Sequence, residues 1–350
     1  MHMADALLSP AVGGTFWAGA VGAIGYASKT LSDRFDDRKI PLMGALGAFI
    51  FASQMINFTI PGTGSSGHLG GGMILAVLLG PHAAFLVMAS VLTVQALFFA
   101  DGGLLALGCN IWNLGVYPCF VVFPLVYRPL AGGGRSPRRI LAASFASGIA
   151  GLQIGAFSVV LQTLLSGKSE LPFGTFLLMM QPIHLAIGIV EGLVTAGVVN
   201  FVRAARPELL EGSAAATPPG PGISLRNIVT GFIVLAFVTG GALSWFASAR
   251  PDGLEWSVGK VAGKAEPPRH DRGIAAAIGG LQERTAMLPE YGFKPSPGES
   301  REKKGEGRAW PAVDAGTSAS GLIGGLTVLA TALGIGWAIR AFRRNRSASP

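Results

Sequence analysis

Residues 175–202 read Thr-Phe-Leu-Leu-Met-Met-Gln-Pro-Ile-His-Leu-Ala-Ile-Gly-Ile-Val-Glu-Gly-Leu-Val-Thr-Ala-Gly-Val-Val-Asn-Phe-Val. Apart from His184, the only ionisable side chain in that run is Glu191. A hydrocarbon layer about 30 Å thick is crossed by roughly 20 mostly apolar residues wound as a helix, so this stretch is long enough to span one. Comparable runs lie on both sides. Towards the amino terminus they cover residues 4–28, 41–58, a short glycine-rich piece to Leu79, a segment to Ala100, one from Asp101-Gly-Gly103 to Tyr127, and 140–165. Towards the carboxyl terminus they cover 226–248 and 320–341. The 350-residue chain is 50% hydrophobic and 13% charged, with mean hydropathy +0.50, whereas a soluble domain is nearer a quarter charged. The expected fold is an all-α polytopic membrane protein. A seven-helix bundle occupies 1–203, a Pro/Gly/Ala-rich linker 204–225, and a second unit 226–350 carries two further transmembrane helices separated by a hydrophilic loop, 249–319.

The net charge of +8 does not indicate a nucleic-acid partner, because Lys and Arg cluster in short loops between apolar runs, where such residues set membrane topology. With the amino terminus outside, the basic loops 29–39 and 128–139, the linker region and the arginine-rich carboxyl tail all fall inside. The opposite short loops (59–68, 101–103, 166–172) carry Lys168 alone among Lys and Arg. The long 249–319 loop then falls outside, where length overrides charge. The amino-terminal run lacks a basic start and continues too far for a signal peptide, and the bulky His2 disfavours removal of Met1.

That topology puts Met1-His2 and the loop Gly62-Thr-Gly-Ser-Ser-Gly-His68 on one face. A free amine, the deprotonated amide nitrogen of residue 2 and the His2 imidazole close adjacent five- and six-membered rings around one cation, and His68 supplies a fourth nitrogen. Planar nitrogen coordination suits Ni(II) or Cu(II) better than Mg, Ca or Zn. The glycines near His68 either line a cavity, where irregular backbone is tolerated at membrane depth, or pack helices closely. His184 and Glu191, two turns apart, either hold a ligating imidazole by its other ring nitrogen or form a buried polar pair that fixes packing. Asp101, Asn110 and Asn113 are candidates to support the His68 loop by hydrogen bonds. His82 and His270 read as packing or solvated residues, and Cys109 and Cys119 as small buried apolar ones. No P-loop, His-Glu-x-x-His or Cys-x-x-Cys-His motif is present.

With these residues in hand, the sequence resembles the CbiM/NikM substrate-binding subunits of energy-coupling-factor transporters for cobalt and nickel. The resemblance covers 1–203 and rests on Met1-His2-Met-Ala-Asp5, Ser66-Gly67-His68-Leu-Gly-Gly71, Leu79-Gly80-Pro81, the run from Gln95 through Ala-Asp101-Gly-Gly to Asn110-Ile-Trp-Asn113, and His184 through Glu191 to Thr195. It implies a metal held by the amine of Met1, the amide and imidazole of His2, and His68. Ser66, His184, Glu191, Asp101, Asn110 and Asn113 would support those ligands. The second unit resembles the auxiliary CbiN/NikN (PDGLE-type) subunit through Pro251-Asp-Gly-Leu-Glu255 and Leu288-Pro-Glu-Tyr-Gly-Phe293. The resemblance further implies a transporter component in a bacterial inner or plasma membrane, not an enzyme, with Ni(II) or Co(II) as transported substrate and no resident cofactor. A transmembrane coupling subunit and cassette ATPases would be its partners. Two other readings have clear discriminators: a redox protein with haem on His68 and His184 would show a Soret band, and a purely structural subunit would bind no metal.

Overall fold

The computed structural model describes residues 2–34, 36–134, 136–167, 171–211, 223–263, 273–294 and 310–348. Among them the chain is helical: α1 (Pro10–Arg34), α2 (Lys39–Gln54), α3 (Gly72–Leu79), α4 (Pro81–Phe99), α5 (Leu107–Gly134), α6 (Pro137–Leu165), α7 (Phe173–Ala205), α8 (Leu225–Gly241), α9 (Gly253–Ala262), α10 (Gly273–Thr285) and α11 (Ala315–Ala348). Two short strands, β1 (Phe58–Thr59) and β2 (Ser66–Gly67), pair antiparallel in the loop before α3. Among the described residues, five helices (α4, α5, α6, α7 and α11) are long and apolar enough to cross a membrane.

Local sequence explains where the helices break. Gly71 sits at φ +78, a conformation that strains residues bearing a Cβ, and caps the start of α3. Gly80, at φ +84, ends α3 and Pro81 opens α4, where its missing N–H removes no helical bond and its fixed φ suits the first turn. Within α5, residues Trp112–Tyr127 wind as a π-helix around Pro118 and Pro124. Proline lacks a donor and crowds the preceding turn, so the wider winding fits its position.

The core sits around α4, which packs against α1, α2, α3, α5 and α11 and buries Phe85, Met88, Val91 and Phe99. α2 is buried from Leu42 to Gln54 and lies against both α8 and α11. The two long helices of the second unit therefore flank the first unit directly. At one end of the molecule, Asp37 pairs with Arg340 (3.1 Å) and Arg343 (3.0 Å), and Lys39 donates to Glu211 (2.7 Å) and to the Leu79 carbonyl (3.0 Å).

The structure departs from the sequence expectation in two places. The described parts of 249–319 are not a bare hydrophilic loop: they form α9, α10 and a turn at Pro289–Tyr291, laid against α7 and α4. The helix expected to run to residue 248 stops at Gly241. There Gly240 crosses Gly321 of α11 so closely that a Cβ on Gly240 would lie 2.9 Å from the Gly321 backbone. Residues 212–222 of the linker lie outside the described residues, as do Met1, Lys168 and His270.

Candidate metal centre

The amino-terminal segment enters the bundle as extended chain because both faces of its backbone find partners. Met3 is fully buried; its N–H donates to Asn110 Oδ1 at 2.8 Å, and its carbonyl accepts from the Gly103 N–H at 2.9 Å. Asp5 Oδ1 accepts from the Ala106 N–H. Asn113 donates to Gln162 (3.0 Å) and lies by the Met3 sulfur. Asn110 and Asn113 thus hold the terminal strand; they do not bond to the His68 loop as the sequence reading anticipated.

This arrangement brings His2 beside His68. Their rings lie at 5.1 Å between centroids and 12° from parallel. His68 is 8% exposed, and its Nδ1 donates to the Leu69 carbonyl at 3.0 Å, which leaves the lone pair on Nε2. Burial drives the His68 imidazole down to about 3 and lowers that of His2. Both rings are neutral at physiological pH, the form in which imidazole ligates a metal.

The loop carrying His68 is clamped from several sides. Glu191 of α7 accepts from the Gly70 N–H (2.8 Å) and the Gly71 N–H (2.9 Å). Gln54 of α2 donates to the Gly70 carbonyl and accepts from Gln95 of α4. Neither glutamine was singled out as a site residue from sequence, although Gln95 heads one of the quoted motifs. His184 is fully buried, its Nδ1 bonded to the Met180 carbonyl at 2.8 Å. His184 and Glu191 therefore form no mutual pair, and neither holds a ring nitrogen of His2 or His68. Asp101 does meet an imidazole: its Oδ1 faces His2 Nδ1 at 3.3 Å.

The second unit covers the same place. Ser66 donates through its N–H to the Pro251 carbonyl (2.8 Å) and through Oγ to the Arg250 carbonyl (2.7 Å), extending the β1–β2 pair. Asp252 and Gly253 line a small cavity with Gly67, His68, Gly70, Leu114 and Ile187. Asp252 Oδ1 accepts from the Leu254 and Glu255 N–H groups, and Glu255 returns a bond to the Asp252 N–H. This capping box starts α9 beside His68. Asp252 escaped the sequence reading as a site residue, yet the spacing of Pro251-Asp-Gly-Leu-Glu255 carries the box. Among the described residues no three His, Cys, Asp or Glu side chains gather as a metal cluster.

Such a bundle, with two buried, parallel imidazoles under a cap and, among the described residues, five helices long and apolar enough to cross a membrane, defines a multi-pass membrane protein. Comparison with known proteins gives the class a family. Residues 2–209 match the model of the cobalt uptake substrate-specific transmembrane region, and 226–341 match the PDGLE domain. The chain belongs to the CbiM family of metal transport proteins and carries a fused PDGLE domain. A protein of Archaeoglobus fulgidus bearing the fused name NikMN is 33% identical across 98% of this chain and 99% of its own. A fused nickel transport protein of Rhodobacter capsulatus is 32% identical, over 67% of this chain and 71% of its own. The crystal structure of a truncated transition metal transporter is 29% identical, with TM-score 0.52, and covers 58% of this chain and 99% of its own.

Proposed function

We propose that the chain is the metal-capturing component of an ATP-driven energy-coupling-factor importer for Ni(II), with Co(II) as the second candidate ion. The observation that carries this reading is the meeting of His2 and His68 as two buried, parallel imidazoles 5.1 Å apart. The terminal amine of Met1, the amide and imidazole of His2 and the Nε2 of His68 complete a planar nitrogen set. That geometry favours nickel over the oxygen-seeking cations. Capture releases protons from the ligands. Residues 1–203 form the metal-binding membrane domain, 204–225 the linker and 226–350 the auxiliary domain.

The amino terminus and His68 face outward. The end bearing Lys39, Arg340 and Arg343 faces the cytoplasm, in keeping with the bias of basic residues to that side. A transmembrane coupling subunit and two cassette ATPases act from the cytoplasmic side, and their hydrolysis of ATP delivers the ion inward. Asn110, Asn113 and Asp101 order the terminal strand and its imidazole, Glu191 and Ser66 fix the loop of His68, and His184 supports the floor beneath α9.

The test is nickel bound to purified protein. A short tag ahead of Met1, His2→Ala and His68→Ala each abolish stoichiometric binding, and full retention by all three variants would refute the chelate.

A further inference from the structure

The nitrogen that the chelate needs is the one His2 has already committed. A cation held by the amide nitrogen of residue 2 and by that residue's own imidazole closes a six-membered ring only through Nδ1. Nε2 points away from the backbone and does not reach. In the structure Nδ1 faces Asp101 Oδ1 at 3.3 Å, while Nε2 is buried with no hydrogen-bond partner among the described residues. The second oxygen of Asp101 is held too, because the Tyr291 hydroxyl donates to Oδ2 at 2.5 Å.

Tyr291 belongs to the second unit, in the segment Leu288-Pro-Glu-Tyr-Gly-Phe293, and its ring is fixed by stacking on Phe99 at 5.1 Å and by edge contact with Phe51. The Leu288 N–H bonds to the Phe98 carbonyl, and Gln282 donates to the carbonyls of Ala96 and Gly102. These bonds pin the segment to the end of α4, next to Asp101.

We propose that Asp101 and Tyr291 latch the chelating nitrogen of His2, and that Tyr291 is the positioning residue through which the second unit sets how fast metal is captured. The inference rests on the chelate reading above. Coordination breaks the Asp101–Nδ1 contact. The ring turns about Cβ–Cγ, exchanging the places of Nδ1 and Cδ2, and the Nδ1 proton passes to Nε2 or to solvent. Asp101 cannot swing aside to ease that turn while Tyr291 holds its other oxygen. Between captures the latch keeps the ring ordered, with Nδ1 held against Asp101 Oδ1 at 3.3 Å.

The experiment uses the full chain in detergent, with Tyr291→Phe, which keeps the ring stack and removes only the hydroxyl, and Asp101→Asn. Nickel association is followed by stopped flow through the visible absorption of the planar complex. The imidazole nitrogens of metal-free protein are followed by 15N resonance. Wild type shows His2 protonated at Nδ1. Tyr291→Phe binds nickel about five-fold faster, the factor one hydrogen bond of ordinary net strength is worth, with the spectrum of the bound complex unchanged. Asp101→Asn loses the Nδ1-protonated signature. An unchanged or slower rate in Tyr291→Phe, or an altered bound spectrum, overturns the latch even if Asp101→Asn fails to fold. If wild type takes up no nickel, the capture reading itself falls; if wild type and Tyr291→Phe bind alike, only the latch does.

Discussion

Glu191 reaches across from α7 and grips two consecutive backbone N–H groups, those of Gly70 and Gly71, at 2.8 and 2.9 Å. A carboxylate buried among apolar helices is costly unless its oxygens find donors. Here the donors belong to the loop that presents His68, so the bond that satisfies the carboxylate also fixes the imidazole. Glu191→Gln replaces one acceptor oxygen by an NH2 that faces a backbone donor. We expect a loss of about 1–3 kcal/mol in stability and a nickel affinity lowered by about ten-fold, read as a lower Tm and a weaker binding isotherm. Unchanged binding at unchanged Tm would show that the loop needs no such clamp.

Asp252 separates charge from capping. Asn and Asp are near-equivalent N-caps, so Asp252→Asn keeps α9 in place and removes only the negative charge lining the cavity beside His68. We expect the fold to persist and nickel affinity to fall by about ten-fold. Asp252→Ala costs about a further 1 kcal/mol of stability through the lost cap. Equal nickel affinity in wild type and Asp252→Asn would remove the carboxylate from the site's electrostatics.

The metal-free protein should weaken in acid. Burial lowers His2 and takes His68 to about 3, against an unfolded value near 6.5. Below about 6.5 the unfolded chain therefore binds protons that the folded chain refuses, and stability rises with pH through that window. The stabilisation is complete above the unfolded value and is lost as pH falls towards the folded one. Tm measured between pH 7 and pH 4 should drop in wild type and drop less in His68→Gln. Parallel curves would contradict the burial of a neutral His68.

The crossing of α8 and α11 is tight. A Cβ on Gly321 would stand 2.2 Å from the Gly240 carbonyl oxygen, and overpacking of this kind costs about 1–3 kcal/mol. Gly321→Ala should lower Tm and increase protease cleavage in the second unit. A neutral effect would mean that the two helices separate without penalty.

Much of this was legible from residues alone. The long apolar runs predict α4, α6, α7 and α11 because hydrocarbon-spanning helices announce themselves by length and lack of charge. His68 stood out as a lone imidazole in a glycine-rich loop. The roles of Asn110 and Asn113 did not, because what they hold is a strand more than 100 positions away in sequence whose path no local pattern encodes. The folding of the described parts of 249–319 was hidden for a related reason: α9 and α10 are short, each mixes apolar residues with glycine and charge, and what orders them is contact with α7 and α4. The capping box at Asp252 was present as a local signal, yet its meaning depends on Ser66 lying alongside.

The bonds from Ser66 to Arg250 and Pro251 are few and modest beside the broad packing of α8 and α11 on α2. That packing keeps the segment over His68 at a high effective concentration even when those bonds open. The cover over His68 is therefore a resident lid, held in reach by helices that take no part in the site. Evolution can then tune how readily that lid yields without regard to whether it would ever find its seat again.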